Sequence, residues 1–272
     1  MTGVKLAVLG LPIKHSRSPE IHARFARQAG IDLQYERILV PDGEFRSVAE
    51  NFLVDGLGFN VTLPCKREAW QFVDVASDGA NLAEAVNTVS RSANGQLRGD
   101  NTDGPGLVRD LKSNLGWSLQ NQRVLILGAG GAVSGVLSSI LDEQPGQVHL
   151  HNRTHHKAIE LVERFSSEQL RAVEFDGLGE GYDLVINGTS AGLAGEDVLL
   201  PAKVLNSDSY CYDMVYGSGV TTFNRWCREQ ADCHVADGLG MLVEQAAIAF
   251  EIWFNTKIDS AAVVRELRAI IK

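Results

Sequence analysis

The sequence predicts an α/β protein of two domains, and three features of the chain support this fold class. Short apolar segments typical of buried strands alternate with amphipathic helical segments along the chain. This alternation occurs twice, beginning near Lys5 and again near Gln122. Between the two series, residues 85–99 show a hairpin pattern around an Asn94-Gly95 turn. We therefore expect two domains, each built on a mostly parallel sheet, with a cleft between them.

Composition excludes several classes of protein. The 272 residues are 44% hydrophobic and 22% charged, as in globular domains. The formal net charge is −9 and no long Lys/Arg run offsets it, which argues against a nucleic-acid partner. An anionic ligand would have to be held by local donors.

The cysteines and the N-terminal stretch indicate a reducing compartment. The four cysteines show no metal-type spacing, so we expect buried free thiols and no metal site. Residues 1–10 lead directly into a strand without a hydrophobic leader, and no apolar run approaches membrane-spanning length. We expect a cytoplasmic protein without a membrane partner.

The two periodicities predict the individual elements. In the first half we predict helices at 19–28 (ended by Gly30), 42–53 and 105–115, strands at 5–10, 34–40 and 58–61, and the hairpin at the sheet's edge. In the second half we predict strands at 123–127, 147–151, 172–175, 183–186 and 210–213, and helices at 133–141, 220–230, 239–254 and 260–271. The expected domains are residues 1–103 with 239–272, and residues 104–238.

A glycine-rich turn follows the strand at 123–127. It consists of Gly128, Ala129, Gly130, Gly131 and Ala132. Such a turn between a strand and a helix brings backbone N–H groups and the helix dipole to a diphosphate. A structural turn is the alternative, but the strand before, the helix after and the next strand favour a Rossmann-like dinucleotide domain. Val133 replaces the usual small residue, so we expect the helix to stand slightly further from the strand.

The end of the next predicted strand distinguishes NADP from NAD. An NAD site places Asp or Glu about 20 residues after the glycines. This chain instead has Asn152, Arg153 and Thr154, followed by Lys157. Two cations and two hydrogen-bonding side chains suit a ribose 2′-phosphate. The alternative is a helix start capped by Thr154 with exposed basic residues. The missing acid favours NADP.

Lys66 occupies an unusual position for a lysine. It follows a strand end and Pro64, in what we predict to be the first turn of a helix, beside Arg67. Lysine is more common at the opposite end of a helix, because the N-terminus is the positive end of the dipole. One interpretation is a proton-transferring lysine. The other is a solvated Lys-Arg pair, which this stretch alone slightly favours.

Candidate substrate-binding donors concentrate in the first half. Ser16 and Ser18 alternate in a loop at a strand's C-terminal end, where open α/β sheets bind ligands. Their hydroxyls could both face a carboxylate, although Ser18 before Pro19 also suits a helix N-cap. Further polar residues, each also a possible cap or turn residue, are Asn60, Thr62, Asn87 and Asp103.

Taken together, these motifs resemble the shikimate dehydrogenase family. The resemblance covers the whole chain through SRSP at 16–19, NVTLPCK at 60–66, AVNT at 85–88, GDNTDG at 99–104, GAGGA at 128–132, NRT at 152–154, NGTSAG at 187–192, DMVY at 213–216 and DGLGMLVEQA at 237–246. It implies an oxidoreductase acting on a CH–OH group, with NADPH-linked interconversion of 3-dehydroshikimate and shikimate in chorismate and aromatic amino-acid biosynthesis.

The resemblance also implies roles for single residues. Lys66 and Asp103 would form the acid–base pair, and Ser16 and Ser18 would hold the substrate carboxylate. The ring hydroxyls would be held by Thr62, Asn87, Asp103 and Gln245. Tyr216 would lie near the carboxylate. The implied further cofactor contacts are Thr189, Met214, Gly238 and Met241.

Three other functions fit parts of the sequence. A quinate/shikimate dehydrogenase of broader range could use NAD, although the missing acid at residues 152–154 speaks against NAD. A non-catalytic NADP-binding sensor would have no need of both Lys66 and Asp103. A folate-linked dehydrogenase shares the two-domain plan, but the serine pair fits a small polyol acid better than a pterin. A monomer or a homodimer is expected.

Overall fold

The computed structural model describes residues 3–189 and 200–271, and it divides into two compact units. The first unit comprises Met1–Gly106 and Val243–Arg265, and the second comprises Leu107–Leu242 and Glu266–Lys272. Each unit contains a 6-stranded sheet with helices, so the predicted α/β class is confirmed. Within the described residues, no helix is both long and apolar enough to cross a membrane.

The elements are numbered in chain order. The strands are β1 (Val4–Gly10), β2 (Leu33–Leu39), β3 (Gly58–Val61), β4 (Val75–Ala76), β5 (Thr88–Arg91), β6 (Leu97–Asp100), β7 (Arg123–Leu127), β8 (Gln147–His151), β9 (Leu170–Ala172), β10 (Leu184–Asn187), β11 (Tyr210–Asp213) and β12 (His234–Asp237). The helices are α1 (Ser18–Ala29), α2 (Phe45–Phe52), α3 (Lys66–Phe72), α4 (Asp78–Ala83), α5 (Asp103–Arg109), α6 (Gly131–Asp142), α7 (His155–Phe165), α8 (Thr222–Gln230), α9 (Leu239–Phe254) and α10 (Ser260–Ile270).

The first sheet is mixed and has the order β2-β1-β3-β5-β6-β4. β1 pairs in parallel with β2 and β3, as the βαβαβ pattern predicts, and β5 and β6 form the predicted antiparallel hairpin. The hairpin was expected at the sheet's edge, and that expectation is wrong. The two-residue strand β4 pairs with β6 and forms the edge. So short a strand leaves no periodicity in the sequence.

Aromatic side chains fill the core of the first unit. Phe45 packs edge-on against Phe59 and Phe72, with ring centroids 6.3 and 5.8 Å apart. In a separate cluster, Phe25 of α1 packs against Phe250 of α9 at 5.8 Å. The long helix α9 therefore contributes to the first unit's core, although it lies far along the chain from the sheet.

The second sheet is parallel throughout and has the order β12-β11-β10-β7-β8-β9. This is the strand order of dinucleotide-binding folds, in which the order reverses between the first and fourth strands, here β7 and β10. Alternate residues of β7 enter different hydrophobic clusters, Val124 and Ile126 in one, Leu125 and Leu127 in the other. Both faces of the sheet are therefore covered, as parallel sheets require.

Two predicted elements need correction, and one strand was not predicted. The strand expected at 172–175 lies earlier in the chain, because β9 is Leu170–Ala172. Phe175–Gly177 form a 3₁₀ turn instead. The helix expected at 105–115 begins at Asp103 and changes to a π-helix at Asp110–Asn114. β12 lies between two predicted helices, where no strand was expected, and it pairs with β11.

The cysteine prediction is confirmed. All four thiols, Cys65, Cys211, Cys227 and Cys233, are free and buried.

Candidate active site

Lys66 and Asp103 form an ion pair in the first unit. The turn that leads into α3 is closed by a 3.0 Å hydrogen bond from Cys65 N to Thr62 O, and Lys66 is the first residue of the helix. Its Nζ donates to Asp103 Oδ2. The side chains are only 22% and 13% exposed, so Lys66 is not a solvated surface residue. Its neighbour Arg67 is exposed, and Arg67 Nη2 lies 3.4 Å from Glu84 Oε2.

Asp103 is oriented by two asparagines. Asn87 Nδ2 donates to Asp103 Oδ1 at 2.8 Å, and the backbone N–H of Asp103 donates to Asn101 Oδ1 at 3.1 Å. Asn101 therefore accepts the first backbone N–H of α5. The Asp103 carboxylate is left to face Lys66.

The serine pair stands at the start of α1. Ser16 Oγ lies 3.2 Å from Ser18 Oγ and accepts the Ser18 backbone N–H at 3.3 Å. Arg17 is the N-cap of α1, and Ser18 lies inside the first turn, so the expected alternative of Ser18 as the N-cap is wrong. The two hydroxyls are close enough to hold the two oxygens of one carboxylate.

Thr62 and Gln245 complete the predicted substrate side in this unit. Thr62 follows β3, and its N–H donates to Leu9 O at 2.9 Å. A Cβ at Gly10 would collide with Thr62 Cγ2, so glycine is needed at the end of β1 for this close approach. Gln245 Oε1 accepts from Thr102 Oγ1 at 3.4 Å. Tyr216 belongs to the second unit.

In the second unit the glycine-rich turn links β7 to α6. Gly128 has φ 105°, a conformation that favours glycine. Gly130 is the N-cap of α6, without a side-chain cap, which leaves the first amides of the helix open to a ligand. Val133 is fully buried, and its Cγ2 lies against Gly188 at the end of β10. The absence of a side chain at Gly188 makes room for the larger residue.

The loop between β8 and α7, with the first turn of α7, carries the residues predicted to bind the 2′-phosphate. Asn152 Nδ2 donates to Thr154 O at 2.8 Å, which shapes the loop. Thr154 is the N-cap of α7, but its side chain makes no capping hydrogen bond. The alternative interpretation, a helix start capped by the Thr154 hydroxyl, therefore does not hold. Arg153, Thr154 and Lys157 are exposed. No acidic side chain occupies the loop.

The remaining cofactor candidates follow β10, β11 and β12. Asn187 Oδ1 accepts from the Thr189 hydroxyl at 2.7 Å, and Asn187 O accepts from Met214 N at 2.9 Å. A Cβ at Gly238 would collide with Met214 O, so these two residues lie in contact. Met241 follows in the first turn of α9. Residues 190–192 of the family motif lie outside the described residues.

Comparison with known proteins identifies the family. Residues 8–89 match the model of the shikimate dehydrogenase substrate binding domain, residues 110–197 that of shikimate / quinate 5-dehydrogenase, and residues 238–268 that of the shikimate 5′-dehydrogenase C-terminal domain. A relative from Alkalilimnicola ehrlichii, named shikimate dehydrogenase (NADP(+)), is 52% identical over 97% of this chain and 98% of its own. The chain belongs to the shikimate dehydrogenase family.

Solved structures agree with this membership. An Ael1 enzyme from Pseudomonas putida has a TM-score of 0.93 at 40% identity, covering 97% of this chain and 98% of its own. Shikimate 5-dehydrogenase from Thermus thermophilus, in complex with NADP(H) and shikimate, has a TM-score of 0.88 at 33% identity, covering 98% and 99%. The predicted two-domain fold is that of shikimate dehydrogenases.

The structure adds residues that the sequence did not single out for a role in this shikimate dehydrogenase family member. Asn187 and Asp213 are buried at the ends of β10 and β11, where Asn187 Nδ2 donates to Asp213 Oδ1 at 3.0 Å. Burial raises the pKa of Asp213, against hydrogen bonds such as that from Thr221. The available signal was the position of these side chains at strand ends.

Proposed function

We propose that this protein is an NADP-dependent oxidoreductase that interconverts 3-dehydroshikimate and shikimate, as in chorismate and aromatic amino-acid biosynthesis. The observation that carries the proposal is the shielded Lys66–Asp103 ion pair in the same unit as the Ser16–Ser18 pair. The names of the relatives support the activity and the cofactor.

The first unit would bind the substrate. The net charge of the chain is −9, so the substrate carboxylate has to be held by local donors. The hydroxyls of Ser16 and Ser18 are neutral donors, which suffice for a single carboxylate. Thr62, Asn87, Asp103 and Gln245 offer donors and acceptors for the ring hydroxyls. We assign Tyr216, from the second unit, to the carboxylate end.

Lys66 and Asp103 would handle the proton. Reduction of a ketone by hydride creates negative charge on the carbonyl oxygen, and an ammonium both stabilises that charge and supplies the proton. In the reverse direction Lys66 accepts the proton from the hydroxyl. Asp103, fixed by Asn87, holds the Lys66 ammonium in place.

The second unit would bind NADP, which supplies or accepts the hydride when bound. The residues present fit this group. The uncapped start of α6 suits the diphosphate, and Arg153, Thr154 and Lys157 with Asn152 suit the 2′-phosphate. We assign Thr189, Met214, Gly238 and Met241 to the nicotinamide half. We further propose a cytoplasmic monomer or homodimer.

A spectrophotometric assay of shikimate oxidation tests this function. Turnover should be faster with NADP than with NAD, and faster with shikimate than with quinate. Faster quinate turnover with NAD would instead show an enzyme of the broader type. Binding of NADP without turnover of either acid would show a sensor.

A further inference from the structure

Side chains of the second unit bind the backbone N–H groups at the start of α9. A helix leaves its first N–H groups without partners inside the helix. Here Asp237 Oδ1 accepts the N–H of Leu239 at 3.2 Å, and the Tyr212 hydroxyl accepts that of Met241 at 3.4 Å. We call this segment, residues 238–241, the 238–241 turn. It includes two of the residues assigned to the nicotinamide half of NADP.

Tyr212 is itself fixed by Asp110. The Tyr212 hydroxyl donates to Asp110 Oδ2 at 2.6 Å, and Asn114 Nδ2 donates to Asp110 Oδ1 at 2.8 Å. Tyr212 and Asp110 are 0% and 3% exposed. Burial raises the pKa of Tyr212 well above its ordinary value, so the phenol keeps its one hydrogen. That hydrogen goes to Asp110, which leaves a lone pair of the Tyr212 oxygen to accept the Met241 N–H.

The Asp110 carboxylate also lies directly against the backbone of the 238–241 turn. A Cβ added at Gly240 would collide with Asp110 Oδ1, so only glycine leaves room for the carboxylate there. Asp110 begins the π-helix Asp110–Asn114, and Leu115 N donates to Asp110 O at 3.1 Å. Single turns of π-helix are rare and occur frequently at functional sites.

A second carboxylate anchors the beginning of the turn. Arg268 of α10 donates to both carboxylate oxygens of Asp237, with Nη1 2.6 Å from Oδ2. The Asp237 side chain is 7% exposed, so this ion pair is well shielded at its acidic end. The 238–241 turn is therefore held by side chains from β11, α5 and α10 in addition to its own helix.

We propose that Tyr212, fixed by Asp110, is a positioning residue that holds the 238–241 turn in place for the nicotinamide ring of NADP. This inference rests on the proposed function, which assigns Gly238 and Met241 to that ring. Tyr212 is fully buried, so it acts through the turn and does not itself touch the cofactor. Its loss should weaken binding of the nicotinamide half only, because other elements, the start of α6 and the loop after β8, are assigned to the diphosphate and the 2′-phosphate.

Calorimetric titration of the purified protein separates the two halves of the cofactor. NADP carries both, whereas 2′-phospho-ADP-ribose lacks the nicotinamide ring. We expect Tyr212→Phe to raise the Kd for NADP about fivefold, within the effect of one lost hydrogen bond. The Kd for 2′-phospho-ADP-ribose should stay within about twofold of the wild-type value. In shikimate oxidation the variant should also show a lower kcat and a larger isotope effect from deuterium at the carbon that is oxidised, because a displaced ring slows hydride transfer.

Tyr210→Phe is the matched control. Tyr210 lies two residues earlier on β11 and, like Tyr212, packs against Trp117, with ring centroids 4.7 and 6.4 Å away respectively. Removing its hydroxyl should change neither Kd. Asp110→Asn is a second variant. Its amide oxygen can still accept the Tyr212 hydrogen, but a neutral acceptor holds it less strongly, so the Kd for NADP should rise about twofold.

A wild-type Kd for NADP in Tyr212→Phe, or an equal loss of affinity for both ligands, would overturn the positioning role. A selective loss of NADP affinity in Tyr210→Phe would overturn it as well. If Tyr212→Phe does not fold, Asp110→Asn decides the question by the same comparison of the two ligands. Each of these results leaves the proposed function standing, because wild-type turnover of shikimate with NADP tests that function separately.

Discussion

Lys66 and Asp103 differ from other ion pairs of the first unit in how little solvent reaches both partners. The side chains of Lys5 and Asp55 are 38% and 60% exposed, against 22% and 13% for Lys66 and Asp103. Exposed pairs contribute little to stability, because water screens them. A shielded pair interacts more strongly, and removing one partner leaves a poorly solvated charge without its counter-ion.

Replacing Lys66 should therefore affect chemistry more than binding. We expect Lys66→Ala to lower kcat by about 10²–10⁴-fold, the usual contribution of a positioned acid or base, with a much smaller change in the KM for shikimate. Steady-state kinetics of the purified variant measures both. Arg67→Ala is the matched control, because Arg67 is exposed, follows Lys66 on the same helix and should be dispensable. Near-normal kcat in Lys66→Ala would refute the assignment.

His22 is the most completely buried ionisable ring of the first unit's core. It is 0% exposed, stacks on Tyr35 with centroids 4.4 Å apart, and neither ring nitrogen has a hydrogen-bond partner. Burial lowers its pKa from 6.5 to about 3. The folded state thus keeps His22 neutral while the unfolded chain protonates below pH 6.5. Its contribution to stability is complete above that pH and is lost as the pH falls towards 3.

His22→Phe should reduce the acid sensitivity of the fold. Between pH 7 and pH 5 the wild type should lose about 2 kcal/mol of unfolding free energy through this group, and the variant should not. Urea unfolding of both proteins at the two pH values gives the difference. The exposed His156, replaced as His156→Phe, should leave the wild-type pH dependence intact. Identical pH dependence in His22→Phe and wild type would contradict the argument.

At the scale of elements, the ends of β1 and β3 position Thr62. Gly10→Ala should push Thr62 away from its place, because the new Cβ collides with Thr62 Cγ2. Overpacking of this kind costs about 1–3 kcal/mol of stability. Because the displaced Thr62 hydroxyl would no longer reach the substrate, we expect the KM for shikimate to rise about tenfold, the effect of one lost hydrogen bond. Thr62→Ser removes Cγ2 and keeps the hydroxyl. The double variant should therefore recover most of the loss, and a failure to recover would place the effect elsewhere.

Elements were predictable where their own residues determine them. The apolar runs of β7 and β11 and the glycine after α1 identify these segments without tertiary information. β4 is two residues long and exists because β6 offers a partner, so no local pattern indicates it. β12 was missed for a related reason. Its own sequence shows no strand pattern, and its pairing with β11 is what makes it a strand.

At the scale of the whole molecule, the candidate site was predictable only in part. The serines, Lys66 and Asp103 stand at strand ends and helix starts, where a motif can be recognised. Tyr35 lies inside β2 among ordinary strand residues, and its hydrogen bond to Asn60 forms only because the fold brings the two side chains together. Which groups form a hydrogen bond depends on the side chains that the folded protein brings together. The spacing of residues in the sequence does not indicate it.

The assignment of one ligand to each unit gives a test on the intact protein. A ligand at about 100 times its Kd stabilises the fold that binds it by about 2.7 kcal/mol. We expect shikimate and NADP each to raise the thermal unfolding temperature of the wild type. Arg153→Ala should weaken the shift caused by NADP and keep that caused by shikimate, whereas Ser16→Ala should do the reverse. Arg164→Ala, at the other end of α7, is the control for Arg153 and should keep both shifts. If Arg153→Ala abolished both shifts, the separate assignment of the two ligands would be wrong.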